Sequence, residues 1–536
     1  MTSTVAPART DQVNLQNGTY KAQPWLLRML LLTAIWLPIN LYSLRTYPSP
    51  NPDDAWWSSM VVHYLDTGQF SSPIVGDMSP YGSHALWRLW GVALSIVFRV
   101  FEVGFVQSRV FAVAGALLTS WILFFVGWRL YRRPAIGILA AAYYLFSFWV
   151  LLFSHVVRPD IFVNAANVVC LLGFIYLRES RNYWHAFVLG FLVAASVDVY
   201  ITAVYGSIAV CILVAFEFRA KRDRRAILSF AVGGLLGVTY WMAFHLTSDQ
   251  ILLLNQLRGI SSRATQLPTF SVSNFLSPVV RTLQSALLGQ SRISLIETIY
   301  ILAGVTSLAV ERRKSDRVLM FVLLIQFGGL FVPYKGPGHW IELIPLLSLI
   351  MSVGVFSISE WVKVRLNFLK GRTGYILFTM ASPLLSTYIF GNISLGWRSQ
   401  IMYSEYQRQE SELQALVPPG SSVLGEGTWW WAFRGSTFTT DHYLSLVSDA
   451  QPHLGAEDIV NRALAERKID VILIDEQINF YFYTTREWPS TPVEMALRKY
   501  ASNRCRLLGT VEGYGYGVEL GGPAIRRTNV YLCPRP

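Results

Sequence analysis

The chain has 536 residues, of which 53% are hydrophobic and only 15% charged, and its mean hydropathy is +0.38. That leaves too little polar surface to cover a soluble core of this size, so a wholly soluble globular protein is excluded and a mainly α, multi-span membrane protein is expected. The formal charge of +12 would suit nucleic acid, but Lys and Arg also collect in the cytoplasmic loops of membrane proteins; the loop charges below account for much of it, and no nucleic-acid partner is expected.

Residues 1–24 form a polar tail without a cleavable signal pattern. The apolar run from Trp25 to about Leu44 is therefore expected to be an uncleaved first span, with the tail in the cytoplasm. Next comes Asn51-Pro52-Asp53-Asp54-Ala55-Trp56-Trp57, continuing through His63-Tyr64-Leu65-Asp66-Thr67-Gly68. Residues 85–101 are apolar, but the core between Arg88 and Arg99 is short for a span; with Trp87 and Trp90 the segment is expected to lie on the membrane surface. Further apolar runs fall at about 107–128, 135–153, 160–177, 183–197, 200–217, 226–245, 293–310, 318–333, 340–358 and 375–391, giving about eleven spans. With the N-terminus inside, five basic clusters become cytoplasmic: Arg129 to Arg133, Arg178 with Arg181, Arg219 to Arg225, Arg312 to Arg317 and Lys363 to Arg372. Counting 85–101 as a span would turn all five outward. The same topology sends loop 45–106, the Arg158-Pro159-Asp160 turn, Asp198, loop 246–292, the Lys335 to His339 turn and everything after about 392 to the extracytoplasmic side.

The C-terminal region changes character. Ser421-Ser422-Val423-Leu424, after Val417-Pro418-Pro419-Gly420, and the run Lys468-Ile469-Asp470-Val471-Ile472-Leu473-Ile474-Asp475, after a polar helical stretch from Ala456 to Arg467, suggest αβ units. Two further runs, Cys505 to Val511 and Asn529 to Cys533, read as strands. The expected organisation is a membrane domain over 25–395 and a small extracytoplasmic α/β domain over 396–536. If Cys505 and Cys533 lie on neighbouring strands, an oxidising compartment would allow a disulfide; otherwise they are two thiols. Cys170 and Cys211 lie in apolar runs, and no cysteine spacing resembles a zinc site.

Carboxylates at the mouth of a membrane domain are costly to desolvate and point to function. Asp53 and Asp54 would also suit a helix start; as a functional pair, one would accept a proton while the other holds a hydroxyl, a metal or a cation. Asp160, after Arg158-Pro159, has the same two readings, a helix start with an Arg–Asp pair or a second acid facing the same cavity. The outward basic groups are Arg258, Arg263, Arg281, Arg292, Lys335 and His339, and such groups bind phosphate or lipid headgroups. Acids beside bases at one membrane face suit sugar transfer from a lipid phosphate. A flippase or transporter for a lipid-linked sugar and a non-catalytic lipid-binding subunit are the alternatives. A transporter would be expected to show midplane polar residues and broken spans, whereas the charge here gathers at one surface.

These motifs resemble the polyprenyl-phosphate-dependent glycosyltransferases of the GT-C fold, in particular the protein O-mannosyltransferase and lipid A aminoarabinose transferase group. The resemblance runs over about 25–360 and rests on Asp53-Asp54 with Leu65-Asp66-Thr67-Gly68, on Ser79-Pro80-Tyr81, on Gly104 to Arg109, on Asp160, and on His339-Trp340 to Pro345. It implies an inverting, extracytoplasmic glycosyltransferase of the plasma (inner) membrane that moves a sugar from a polyprenyl-phosphate donor to a hydroxyl acceptor on protein, lipid or polysaccharide. Asp53 would be the catalytic base. Asp54 and Asp160 would assist it or hold a divalent cation, Mg or Mn. Arg109, Arg258, Arg263, Lys335 and His339 would lie near the donor phosphate. Two departures bear on donor identity: Met78-Ser79-Pro80 stands where the family often has Lys-Pro-Pro, and Trp56-Trp57 replaces the usual tyrosine pair.

Overall fold

Helices follow the apolar runs almost one for one. The computed structural model describes residues 23–46, 48, 50, 52–75, 88–220, 223–246, 295–331, 337–365, 373–475, 491–515 and 524–534. They form α1 (Gln23–Ser43), α2 (Pro52–Thr67), α3 (Arg88–Phe101), α4 (Phe105–Tyr131), α5 (Pro134–Phe146), α6 (Phe148–Phe153), α7 (Asp160–Ser180), α8 (Tyr183–Ser196), α9 (Ala203–Ala220) and α10 (Arg224–Leu246). After these come α11 (Leu295–Glu311), α12 (Lys314–Phe331), a 3-10 helix (Pro337–Leu343), α13 (Ile344–Arg365) and α14 (Thr373–Leu416). Among the described residues, seven helices are long and apolar enough to cross a membrane: α1, α4, α7, α9, α10, α13 and α14. The other four expected spans are apolar helices too, but α5, α8 and α11 have 13, 14 and 17 residues, and α12 opens on the charged stretch Lys314-Ser315-Asp316-Arg317. The expected run 135–153 is broken in two. Ser147 ends α5, and its hydroxyl accepts the Val150 N–H (3.2 Å) to start α6.

Residues 88–101 form a helix of 14 residues, α3, which is not among the seven. Trp90, Leu94 and Phe98, spaced four apart, are buried against α2 and α4, while Ile96, Val100 and Phe101 are exposed. The ends of α4, α7 and α11 share one device. Arg132, Arg181 and Arg312 adopt left-handed conformations (φ 56, 51 and 48°), ending each helix with a cation beside its negative dipole end. In α4 and α7 these caps lie at the opposite end from the acidic site described below. Elsewhere the bundle is tight enough to need glycine. A Cβ on Gly190 of α8 would meet the Phe230 carbonyl of α10 at 2.0 Å, and one on Gly233 would meet the Phe187 carbonyl at 1.9 Å.

The C-terminal part comprises β1 (Val423–Gly425), β2 (Phe438–Thr440), α15 (His442–Ala450), α16 (Ala456–Arg467), β3 (Val471–Asp475), α17 (Pro492–Arg504), β4 (Arg506–Gly515) and β5 (Ala524–Leu532). The sheet order is β2-β1-β3-β5-β4, parallel among β2, β1 and β3 and antiparallel beyond. All five residues of β3 are buried, as a central strand of a small α/β domain requires. β2, which has only three residues, carries too little pattern to be seen in sequence. The expected boundary at 396 falls inside α14. That helix runs unbroken for 44 residues, about 66 Å at 1.5 Å per residue, and carries the chain from the bundle into the domain.

The domain sits on the loop that follows α1. Ala55, Ile74 and Val75 share an apolar core with Tyr406, Trp429 and Trp430. The Thr440 N–H donates to the Ile74 carbonyl (2.8 Å), and Arg434 Nη1 donates to the Val103 carbonyl (2.6 Å). The Trp429-Trp430-Trp431 run belongs to this junction. Trp429 is fully buried and stacked on Tyr406 (centroids 5.3 Å apart), and Trp431 sits edge-on to Phe105 of α4 (5.6 Å).

Candidate active site

Four elements meet at one end of the bundle: the last turn of α1 and the first turns of α2, α4 and α7. Pro52 suits the first position of α2, and Asp53 and Asp54 follow in its first turn, where the helix dipole favours negative charge. Asp160 opens α7 in the same way.

Asp54 is wholly buried. Its Oδ1 accepts the Val157 N–H (2.5 Å), and its Oδ2 accepts from Arg109 Nη2 (3.1 Å). Arg109, on the first turn of α4, is also 0% exposed; its Nη1 donates to the Leu44 carbonyl (3.1 Å), and its guanidinium lies 3.9 Å above the Phe105 ring. This places a cation at the C-terminal end of α1, where carbonyls lack helical partners. His155 serves the same helix end, with Nε2 3.0 Å from the Asn40 carbonyl.

A second, more accessible pair lies beside the first. Arg158 Nε and Nη2 donate to Asp160 Oδ2 and Oδ1 (2.8 and 3.2 Å), and Nη1 donates to Asp53 Oδ2 (2.5 Å). One guanidinium thus bridges acids from α2 and α7. Burial disfavours its charge, but Asp160 and Asp53 outweigh that and raise its pKa above the ordinary arginine value. The three carboxylates differ in access: the Asp53 side chain is 28% exposed, those of Asp54 and Asp160 0%.

Tyr200, in the connection between α8 and α9, stands within electrostatic reach of Asp160, Arg158, Glu342 and Asp53. Burial, with help from Asp160, pushes its phenol up, so it stays a neutral hydroxyl. Trp57 meets its ring edge-on at 6.3 Å. Glu342 is buried in the 3-10 helix before α13 and lines a cavity of about 10 Å³ with Asn167 of α7 and Gln326 of α12.

Asp53, Asp54, Asp160 and Arg109 are therefore brought together. The resemblance puts Arg109 near a donor phosphate, but here its guanidinium is enclosed by Asp54, Leu44 and Phe105. Arg258, Arg263 and Lys335 lie outside the described residues; the backbone of His339 lies in the 3-10 helix, and its side chain is not described. Cys505 and Cys533 are joined by a disulfide between the start of β4 and the end of β5. Among the described residues, no group of three or more His, Cys, Asp or Glu side chains is arranged to hold a metal ion. The two expected cation ligands do not fit that role either, since Asp54 is engaged by Arg109 and Asp160 by Arg158. Sequence reasoning treated Arg158 only as a helix-start partner of Asp160 and missed Tyr200 and Glu342. The visible signal was Glu342 itself, an acid directly before an apolar run.

No protein-family model and no curated protein sequence matches the chain. Solved structures do. ArnT from Cupriavidus metallidurans in the apo state superposes with a TM-score of 0.57 at 12% identity over 95% of this chain and 98% of that one. The same protein bound to undecaprenyl phosphate gives 0.55 at 11% identity, with the same coverage. The Archaeoglobus fulgidus oligosaccharyltransferase, in complex with Zn and sulfate, gives 0.53 at 12% identity over 84% of this chain and 67% of that one. At such identities the likeness shows the fold alone, and that fold, a multi-span helical membrane bundle with a small C-terminal domain, is the GT-C fold of membrane glycosyltransferases.

Proposed function

We propose that the chain is an integral membrane glycosyltransferase that moves a sugar from a polyprenyl-phosphate donor to a hydroxyl acceptor, with inversion and with Asp53 as the general base. The observation that carries this is the division of labour among the three aspartates. Two guanidiniums face three carboxylates, which leaves one negative charge, and the only carboxylate of the three with solvent access is Asp53. A base needs both properties, a negative charge within reach of the acceptor and a fixed position. In the reaction Asp53 takes the acceptor hydroxyl proton, the oxygen attacks the anomeric carbon from the face opposite the phosphate, and the C–O bond to the phosphate breaks. The polyprenyl phosphate departs with the bonding electrons. Cations beside it lower the cost of that charge, and Lys335, His339, Arg258 and Arg263 are assigned there. Arg109 is assigned to holding Asp54, and no step requires a metal ion.

The undecaprenyl phosphate of the ArnT complex supports a polyprenyl-phosphate lipid as the donor's carrier. The basic caps Arg132 and Arg181 at the far end of α4 and α7 support an extracytoplasmic site, under the positive-inside rule, in the plasma (inner) membrane. The membrane domain of 25–395 carries the chemistry, and the C-terminal domain braces it. The test uses full-length protein in lipid nanodiscs with polyprenyl-phosphate sugars and hydroxyl acceptors, reading release of polyprenyl phosphate and the anomeric configuration of the product. Wild type is expected to turn over and Asp53→Asn to lose about a hundredfold or more. Equal turnover by Asp53→Asn would remove the base assignment, and retention of configuration would remove the single displacement.

A further inference from the structure

A pair of acids from two helices is what a divalent cation would bridge. In this chain that position is filled from within. We propose that the Arg158 guanidinium takes the place of a divalent cation between Asp53 and Asp160, so that the site works without a metal and Arg158 is its positioning residue.

Three observations carry this. Arg158 reaches both acids at once, using Nε and Nη2 on Asp160 (2.8 and 3.2 Å) and Nη1 on Asp53 (2.5 Å). A planar guanidinium with three N–H groups so engaged fixes the distance and angle between α2 and α7, as a metal would. Second, the remaining acid, Asp54, is engaged by another guanidinium, that of Arg109, so the chain uses the same device twice. Third, the charge count favours a monocation. Asp53, Asp160 and Arg158 sum to one negative charge; a dication in the same place would neutralise both acids and draw electron density from Asp53, weakening it as a proton acceptor. A monocation orients a carboxylate at a smaller cost in basicity than a dication does.

This rests on Asp53 being the base, but its test does not depend on finding the donor. Mn²⁺ is titrated into full-length protein in nanodiscs of zwitterionic lipid and followed by electron paramagnetic resonance. Wild type is expected to show no manganese binding that Asp160→Asn removes. Arg158→Ala is expected to gain one such site, and Arg158→Ala with Asp160→Asn to lose it again. In the transfer assay, chelator is expected to leave wild-type turnover within about twofold, and Arg158→Ala to lose about a hundredfold, with partial recovery on adding Mn²⁺. Asp160-dependent manganese binding in wild type would overturn the proposal. So would a folded Arg158→Ala protein that gains no site, or one that turns over like wild type without metal. Should Arg158→Ala fail to fold, the wild-type titration still decides, and Arg158→Lys, which keeps one charge but not the fork, should fall between wild type and zero turnover without acquiring a manganese site. A wild type inactive with every donor would count against the transferase reading and leave the manganese result standing.

Discussion

Asp53 and Asp54 are neighbours in sequence, yet replacing each by asparagine should do opposite things. Asp54 and Arg109 are both 0% exposed and 3.1 Å apart, which at an effective dielectric of about 20 corresponds to about 5 kcal/mol of attraction. Desolvation of the two charges offsets much of that, so the pair's net contribution is small. Removing one partner is another matter. Asp54→Asn keeps an oxygen for the Val157 N–H but leaves the Arg109 charge buried without its counter-ion, at a cost of about 3–5 kcal/mol. Against a typical total stability of about 5–15 kcal/mol this is a large fraction. Asp53 and Arg158 are 28% and 19% exposed. Arg158 keeps Asp160 when Asp53 is neutralised, so Asp53→Asn should cost about 1 kcal/mol or less in stability. It should nonetheless lose about a hundredfold or more in turnover. The assay pairs the thermal midpoint of detergent-solubilised protein with release of polyprenyl phosphate from a lipid-linked sugar donor. A cycle with Arg109→Met completes it, the double variant being expected to recover part of the sum of the single losses. The reasoning is refuted if Asp54→Asn melts like wild type, or if Asp53→Asn is as unstable as Asp54→Asn.

Three further outcomes are expected. Gly190→Val and Gly233→Val should each separate α8 from α10, because the added atoms meet backbone carbonyls that cannot turn aside; each should cost about 1–3 kcal/mol in the thermal midpoint, and a gain would refute the contact. The disulfide between Cys505 and Cys533 closes 28 residues, so Cys533→Ser or a reductant should destabilise the C-terminal domain by about 2–4 kcal/mol, seen as earlier proteolysis within that domain; equal protection would refute it. Burial, with a contribution from Asp475, pushes the Asp441 carboxyl up to about 6. The folded state then holds that proton more tightly than the unfolded one, so stability should fall as pH rises from about 4 to about 6, by at most about 3 kcal/mol. Asp441→Asn should flatten that stretch of the pH–midpoint curve, and an unchanged slope would refute the assignment.

Much of this fold is written in local features. The existence of most helices, α3 among them, and the positions of β1, β3, β4 and β5 follow from hydropathy and from patterns within a dozen residues. The acids of the site were legible for a similar reason, since a carboxylate beside an apolar run is conspicuous wherever its partner lies. Its partner is not conspicuous. Arg158 meets Asp53 across 105 positions and Arg109 meets Asp54 across 55, and nothing local tells one arginine near a helix start from another. Tyr200 was hidden differently. It lies in the short connection between α8 and α9, where only the packing of α2 and α7 gives it charged neighbours. The boundary expected at 396 lies within α14, which continues as one helix through the place where its composition turns polar.

Asp53 depends on more than its ion pair, and the C-terminal domain supplies the rest. α2 is held at the base of that domain. A Cβ on Gly427 would come within 3.1 Å of the Pro52 backbone, the His442 ring lies 5.5 Å from Trp56, and Ala55 is part of the domain's own apolar core. Pro52, Ala55 and Trp56 flank Asp53 and Asp54 on both sides. The first turn of α2 is thus clamped between the arginines of the bundle and the glycine and tryptophan surface of the domain. A helix end carrying two carboxylates would otherwise relax toward water, since desolvating an acid costs more than an exposed ion pair returns. The apolar contacts on one side and the guanidiniums on the other hold that turn in place. One continuous helix of 44 residues, α14, joins the bundle to the domain that makes these contacts.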